Sequence, residues 1–210
     1  FATISATNTS YVTGKTTAGW NYKNCAIFKG GTSDSSPAFK MIGDASNRAL
    51  CMNGKTSAVG TITSPTLTTG CGTLKFNYGL PFGDTKIKFR VDIMQDGAVV
   101  KTFTVQNLSA TKLTKYSHEE TVNVAGDFQI VFTNLSPSNS TSNKDRTAIW
   151  DVEWNGYNAN QGVDAATYNE YNAAWKDIVK YATYPMMTTA AGSAEAVDYV
   201  ATIMPQIKPA

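Results

Sequence analysis

Alternation of apolar and polar residues is the clearest pattern in the chain. The segment KIKFRVDIM is apolar at every second position, namely Ile87, Phe89, Val91 and Ile93. A period of two is typical of a strand with one buried face. Asp96-Gly97 follows directly and predicts a tight hairpin turn, because both residue types tolerate the backbone angles such a turn needs.

Four further segments repeat this alternation: GTLKFNYG, KYSHEETVNV, FQIVFTN and RTAIWDVEW. In the last of them, Ala148, Trp150, Val152 and Trp154 are expected on one face, with Ile149, Asp151 and Glu153 on the other. Turn residues punctuate the chain at intervals of roughly ten residues, giving about eight or nine short strands. The pattern predicts an all-β fold, an antiparallel β-sandwich of jelly-roll type.

The stretch GTITSPTLTTGCGTLKFNYG, residues 60–79, begins a strand, stops and begins again. Pro65 cannot donate to a strand ladder, and Gly70 and Gly72 permit backbone angles that other residues avoid. We therefore expect a corner here, where the chain leaves one sheet and enters the other.

The period changes after Tyr157. Aromatic and aliphatic residues then recur at spacings of three and four, from Tyr168 through Trp175 to Ala182, which favours a helix. A second helix is predicted from Ser193 to Met204. The chain is thus read as a sandwich domain, residues 1–157, and an α-helical extension, residues 158–210, that docks on the sandwich or leads into further domains of the same chain.

Composition limits the classes of partner and the cellular location that the sequence predicts. Only 16% of residues are charged, and 18 basic residues against 16 acidic ones give a net charge of +2, which argues against nucleic acid as a partner. No apolar run approaches the ~18 residues of a membrane span, so no membrane insertion is expected. A polar, uncharged surface is common in secreted β-proteins and indicates a secreted or cell-surface location.

Cysteine and histidine are sparse. The three cysteines, Cys25, Cys51 and Cys71, are expected as buried thiols or as one disulfide plus a free thiol. His118 is the single histidine, so neither a zinc site of Cys and His nor a serine-histidine triad is predicted.

The segments ITSPTL, GTLKFNYG and AIWDVEW, with the intervening Asp-Gly turn, resemble galactose-binding-like jelly-roll modules of secreted and surface Bacteroidetes proteins, including MAM-like and choice-of-anchor domains. The likeness covers residues 18–157. Its closing motif departs from the familiar pattern, since Trp150 stands where a first acidic residue is expected and only Asp151 matches. The resemblance implies a jelly roll that binds glycans or mediates adhesion.

A sugar site requires an aromatic platform beside polar side chains, because sugars present apolar C–H faces ringed by hydroxyls. The candidate ligand-binding residues are Trp20, Tyr22, Asn77, Phe82 and Asp84. For Trp20 and Phe82 the alternative is packing in the core. The predicted function is a non-catalytic carbohydrate-binding or cell-adhesion module, with a glycan or cell-surface ligand as partner and no required cofactor.

Two alternative functions and one metal site stay open. Asp151 and Glu153, two positions apart on one strand, have a spacing comparable to that of glycosidase carboxylates, which predicts a glycoside hydrolase. A purely structural accessory domain of a larger enzyme is the other alternative function. Jelly rolls of this kind often hold a structural calcium ion, for which Asp127, Asp145 and Asp151 are the candidate metal ligands.

Overall fold

The computed structural model describes residues 6–157, Glu170 and residues 173–176. The chain divides into two compact units, Phe1–Tyr157 and Asn158–Ala210. The described part of the first unit is formed by β-strands and one short 3₁₀ turn, Lys40–Ile42. The strands are β1 Asn8–Lys15, β2 Asn21–Lys29, β3 Asp34–Ser35, β4 Ala38–Phe39, β5 Arg48–Met52, β6 Thr61–Thr63, β7 Cys71–Gly79, β8 Ile87–Gln95, β9 Ala98–Asn107, β10 Tyr116–Val124, β11 Gln129–Asn134 and β12 Thr147–Trp154.

In the second unit, Glu170 and residues 173–176 are helical. These residues lie within the first predicted helix, and helical structure is confirmed at their positions. The predicted second helix, Ser193 to Met204, lies outside the described residues. No helix among the described residues has both the length and the apolar character needed to cross a bilayer.

The strands form an antiparallel β-sandwich of jelly-roll type. Hydrogen-bonded neighbours follow the order β10-β7-β12-β5-β2-β6-β11-β8-β9. Strand β2 joins the two layers, because Asn21–Lys23 pair with β6 whereas Cys25–Lys29 pair with β5. The first layer is therefore β10-β7-β12-β5 and the second is β6-β11-β8-β9.

The predicted corner is confirmed. Strand β6 belongs to the second layer through its pairing with β11, and β7 belongs to the first through β10 and β12. Gly70 takes a φ of +69° immediately before β7, and a Cβ there would lie 2.6 Å from the carbonyl oxygen of Val124. The segment between Pro65 and Gly70 therefore carries the chain from one layer to the other.

The predicted inner face is also confirmed. Ile87, Phe89, Val91 and Ile93 are fully buried. The ring of Phe76 in β7 lies 5.2 Å from the ring of Phe132 in β11 and 5.9 Å from that of Phe89 in β8, measured between centroids. Side chains of the two layers thus interdigitate, as stacked sheets do.

A second apolar cluster covers the outer face of the first layer around β5. It includes Phe28, Phe39, Cys51 and Trp150, with Phe82 packed at its edge. Strand β5 is consequently buried on both faces, since Leu50 and Met52 belong to the inner core. The segment around the 3₁₀ turn supplies this cover, with Phe39, Met41 and Ile42 all buried.

The predicted faces of β12 are wrong beyond Trp150. Asp151 has a φ of +48°, and the pairing with β7 shifts register between Trp150 and Glu153. The extra residue of this β-bulge reverses the alternation. Trp150 therefore lies in the outer cluster, whereas Val152 packs against the inner core.

All three cysteines are free and buried, which confirms the buried-thiol alternative. Cys25 and Cys71 lie in the inner core, and Cys51 lies in the outer cluster. Burial raises the pKa of each thiol. For Cys71 the pKa reaches about 11, with Lys101 opposing the effect of burial.

Candidate functional site

An open groove of about 300 Å³ lies on the outer face of the first layer, across β10, β7 and β12. We call it the outer-face groove. Its outward-facing polar lining is Lys75 and Asn77 of β7, Ser117 and Glu119 of β10, and Asp151 and Glu153 of β12, and it is also bordered by Phe76 and His118. Alternation explains this polarity, because the intervening residues of β7 point into the core.

The register of the three strands brings these side chains side by side. Asn77 lies opposite Ser117 in β10, and Lys75 lies opposite both Glu119 in β10 and Glu153 in β12. The bulge adds Asp151 beside Asn77. Asp is one of the few residue types that adopt a positive φ at modest cost, so the bulge residue also supplies a carboxylate.

A fixed hydrogen-bond network runs across the groove. The Nδ2 amide of Asn77 donates to Asp151 Oδ2 at 2.9 Å, and Ser117 Oγ donates to Asn77 Oδ1 at 2.7 Å. A carboxylate only accepts, so Asp151 determines which end of the Asn77 amide faces it. Three side chains from three strands are thereby held in one arrangement before any ligand arrives.

Negative side-chain charges outnumber positive ones in the groove. Lys75 Nζ lies 3.1 Å from Glu119 Oε2, so these two exposed charges form an ion pair. Among the described residues, neither Asp151 nor Glu153 has a cationic partner. The groove therefore carries two carboxylates that no basic side chain balances.

A smaller groove adjoins the first and shares Lys75 and Glu153 with it, extending to Thr73 and Asn155. Trp154 borders this second groove and is 37% exposed. Trp154 lies opposite the inward-facing Leu74, and its ring meets the ring of Phe128 edge to face at 6.3 Å. The indole thus sits at the rim of the sandwich, with part of its surface open.

Of the five predicted ligand-binding residues, the outer-face groove contains Asn77. Trp20 is 7% exposed and belongs to the inner core, and Tyr22 packs against that core. The structure therefore places Trp20 in the core, which was the alternative considered for it. Binding by the predicted set as a whole stays a prediction.

Phe82 and Asp84 lie together, as expected from their loop, but both contact Arg146. Arg146 Nε donates to Asp84 Oδ2 at 2.7 Å, and the guanidinium carbon lies 4.1 Å from the centroid of the Phe82 ring. Burial lowers the pKa of Arg146, but the hydrogen bond and charge of Asp84, together with Tyr11 and Cys51, raise it, so the pKa stands above its ordinary value. Asp84 is 6% exposed, and its carboxylate is occupied within the protein.

The three predicted calcium ligands do not meet. Asp145 is buried, and its carboxylate accepts hydrogen bonds from the backbone and hydroxyl of Ser138 and the hydroxyl of Ser136. Asp151 is bonded to Asn77, and Asp127 precedes β11 on the surface. Within the described residues, no three His, Cys, Asp or Glu side chains are grouped to hold a metal ion. Calcium binding itself stays a prediction, which a melting-temperature shift on adding calcium would test.

Sequence reasoning missed Lys75, Ser117 and Glu119 as groove residues. Their outward direction followed from the alternation of β7 and β10. Their proximity did not, because β7 and β10 are separated by the β8–β9 hairpin in the chain. The sequence at a polar, outward-facing position does not indicate which strand will lie beside it.

No family model and no curated protein matches the chain. Solved structures do show similarity. A family 61 carbohydrate-binding module in complex with beta-1,4-galactotriose has 11% identity and a TM-score of 0.43, covering 65% of this chain and 88% of that one. A family 29 carbohydrate-binding module has 12% identity and a TM-score of 0.41, with 76% and 97% covered.

A glycoside hydrolase family 43 arabinoxylan arabinofuranohydrolase from Bacillus subtilis, in complex with cellotetraose, matches with 14% identity and a TM-score of 0.39. The match covers 65% of this chain and 25% of the enzyme, so the chain spans about a quarter of that protein. Identities and TM-scores this low do not identify the ligand of this chain.

Proposed function

We propose that the sandwich is a non-catalytic carbohydrate-binding module and that a glycan binds in the outer-face groove. The observation that carries this is the network of Ser117, Asn77 and Asp151 on an open sheet face. Sugar hydroxyls both donate and accept, so a row of amide, hydroxyl and carboxylate groups matches their chemistry. Because the row is already fixed, little side-chain entropy is lost on binding.

The open part of Trp154 extends the proposed site. An indole offers a flat apolar surface on which the C–H face of a sugar ring stacks. Because the Trp154 side chain lies on the same face as Leu74, a ligand reaches its open part by passing over the rim beside the adjoining groove, which supports a ligand of several sugar units. Stacking thus falls to Trp154, while the outer-face groove provides hydrogen bonds.

A glycan array followed by site variants tests the proposal. Asn77→Ala removes the centre of the network. We expect about a tenfold loss of affinity, because the hydrogen bond from Asn77 to the sugar, about 1 kcal/mol, is lost and Ser117 and Asp151 are no longer held in place for the ligand. Gln106→Ala is the matched control, because Gln106 is an exposed amide on β9 in the second layer. Isothermal titration calorimetry measures both. Absence of binding to every glycan would favour the purely structural function instead.

Phe82→Ala decides between the groove and the loop predicted from sequence. The Phe82 ring packs edge to face on Phe28 and Phe39, with centroids 5.6 and 5.7 Å away. We expect Phe82→Ala to lower stability and to leave glycan affinity unchanged. Loss of affinity in a folded Phe82→Ala protein would place the ligand at that loop.

A glycoside hydrolase is the second candidate function. The observation in its favour is that Asp151 and Glu153 both line the outer-face groove, and glycosidases work with two carboxyl groups across a sugar bond. Release of reducing ends from a labelled polysaccharide, abolished in Asp151→Asn, would support it. The proposed binding module predicts no release at all.

We further propose a secreted or cell-surface location and adhesion to cell-surface glycans. The low content of charged residues and the predominance of Ser, Thr and Asn support this location. Fractionation of producing cells with a specific antibody tests it, and recovery of the protein from the cytoplasm alone would contradict it.

A further inference from the structure

The arrangement of hydrogen-bond donors and acceptors in the outer-face groove implies more than a general affinity for sugars. The direction of each bond is fixed, starting from Asp151. Its carboxylate accepts from Asn77, Asn77 Oδ1 then accepts, and the Ser117 hydroxyl must donate its one proton to that oxygen. What Ser117 and Asp151 have left to offer a ligand is therefore lone pairs only.

Glu153 adds to this surface. Within the described part of the chain it has neither an ion pair nor a hydrogen bond, and it is exposed at the groove. Among the outward-facing side chains, the donors that remain are one N–H of Asn77 and the ammonium of Lys75, whose charge Glu119 balances at 3.1 Å. His118 also borders the groove, but its ring packs on Phe76 and Phe103 and its Nε2 is buried. Acceptors and negative charge consequently predominate over donors.

From these two observations we infer that the groove selects ligands by their hydrogen-bond donors, and that glycans with unacetylated amino groups bind more tightly than neutral glycans, with acidic glycans weakest. The inference rests on the proposed function. An ammonium donates three hydrogen bonds and carries the positive charge that would balance Asp151 and Glu153. A uronate or sulfate would face two carboxylates and find few donors, so repulsion and unpaired acceptors both oppose it.

The test compares three glycan classes on one array: oligoglucosamines with free amines, neutral oligosaccharides including N-acetylated forms of the same chains, and oligogalacturonates with heparin fragments. The full chain is applied as wild type and as the Asp151→Asn, Glu153→Gln double variant. Asn is well suited to the positive φ at position 151, so the bulge is retained. Circular dichroism and the melting temperature verify that the variant folds.

We expect the wild type to bind the amine-bearing chains most tightly, and this preference over their N-acetylated forms to weaken as salt rises. In the double variant the preference falls by about tenfold, since two exposed charge contacts, each contributing up to about 1 kcal/mol, are lost. The control is Asp44→Asn, Asp96→Asn, which removes the same charge at exposed positions outside the groove and keeps the wild-type preference.

Equal or tighter binding of the acidic class by the wild type overturns the inference and leaves the proposed function standing. A double variant that keeps the full amine preference also overturns it, because the selectivity would then arise elsewhere. Absence of binding to all three classes overturns the inference and the proposed function together.

Discussion

At the residue scale, the contact of Asp84 with Arg146 shows how a polar pair is held among apolar side chains. Asp84 is almost fully buried, and the Arg146 side chain is 22% exposed above the ring of Phe82. The backbone amide of Arg146 also donates to Asp84 Oδ2, at 3.2 Å. Removing the carboxylate would leave the guanidinium half-buried without its counter-charge.

We therefore predict that Asp84→Ala lowers the free energy of unfolding by about 3 kcal/mol, the cost of breaking a buried ion pair. Asp84→Asn should cost less, because an amide oxygen still accepts from Arg146. Urea denaturation measures both. Asp44→Ala, at an exposed position, serves as control with an expected change below about 0.5 kcal/mol. Equal stability of all three variants would show that the pair contributes nothing.

The buried thiols make a second prediction at this scale. The raised pKa values of Cys25, Cys51 and Cys71 keep the thiolate population small at pH 8, and thiolate is the reactive form. We expect Ellman's reagent to detect no thiol in the native protein. In about 6 M guanidinium chloride, which unfolds the protein, it should detect all three. Rapid labelling of one thiol under native conditions would contradict its burial.

At the element scale, two strands owe their shape to one residue each with a positive φ. Asp151 reverses the faces of β12, and Asn24, with a φ of +51°, separates the two halves of β2. Asn24 Nδ2 donates to the carbonyl oxygen of Val59 at 3.0 Å, which ties the bend to the loop before β6. The bend lets one strand pair with both layers.

Two substitutions of Asn24 separate the contribution of backbone conformation at this bend from that of the hydrogen bond. Asn24→Val should lower the free energy of unfolding by about 2–3 kcal/mol, because a β-branched residue resists the left-handed conformation and the hydrogen bond to Val59 is lost. Asn24→Gly loses the same bond but accepts the φ, so about 1 kcal/mol is expected. Urea denaturation separates the two. Equal costs would mean that backbone conformation at the bend contributes little.

At the scale of the whole molecule, aromatic packing between the layers holds the sandwich together. Phe76, Phe89 and Phe132 come from three strands of two layers and touch one another, with ring centroids 5.2–6.3 Å apart. All three are 2% exposed or less. The contact among these three rings sets the distance between the two layers.

Phe132→Ala is accordingly predicted to lower the free energy of unfolding by about 3–5 kcal/mol, the usual range for emptying a buried phenylalanine site. Val99→Ala, where the side chain is 54% exposed, should change it by less than about 0.5 kcal/mol. Thermal and urea unfolding test the pair. A Phe132→Ala protein as stable as the wild type would contradict the assigned interface.

The candidate site was predictable only in part. Alternation along β7 sets Lys75 and Asn77 on the face opposite Leu74 and Phe76, and the spacing of Asp151 and Glu153 placed these two carboxylates together. The burial of Trp20 and Asp84, both predicted as ligand contacts, was not predictable, because an aromatic residue or an aspartate near a loop has the same sequence whether it is buried or exposed. Burial of Asp84 depends on Arg146, which lies 62 residues along the chain.

By themselves, period-two alternation and turn residues determined strands β7, β8, β10, β11 and β12, the hairpin at Asp96-Gly97, the corner before β7 and the sandwich. These are local properties, since side-chain direction and turn geometry depend on a few consecutive residues. Only the tertiary structure decided that β10 and β12 flank β7, that a bulge at Asp151 re-aims the end of β12, and that a second apolar cluster buries the other face of β5. Each depends on which distant strands pair, and hydrogen-bond pairing between strands leaves no periodic signal in either one.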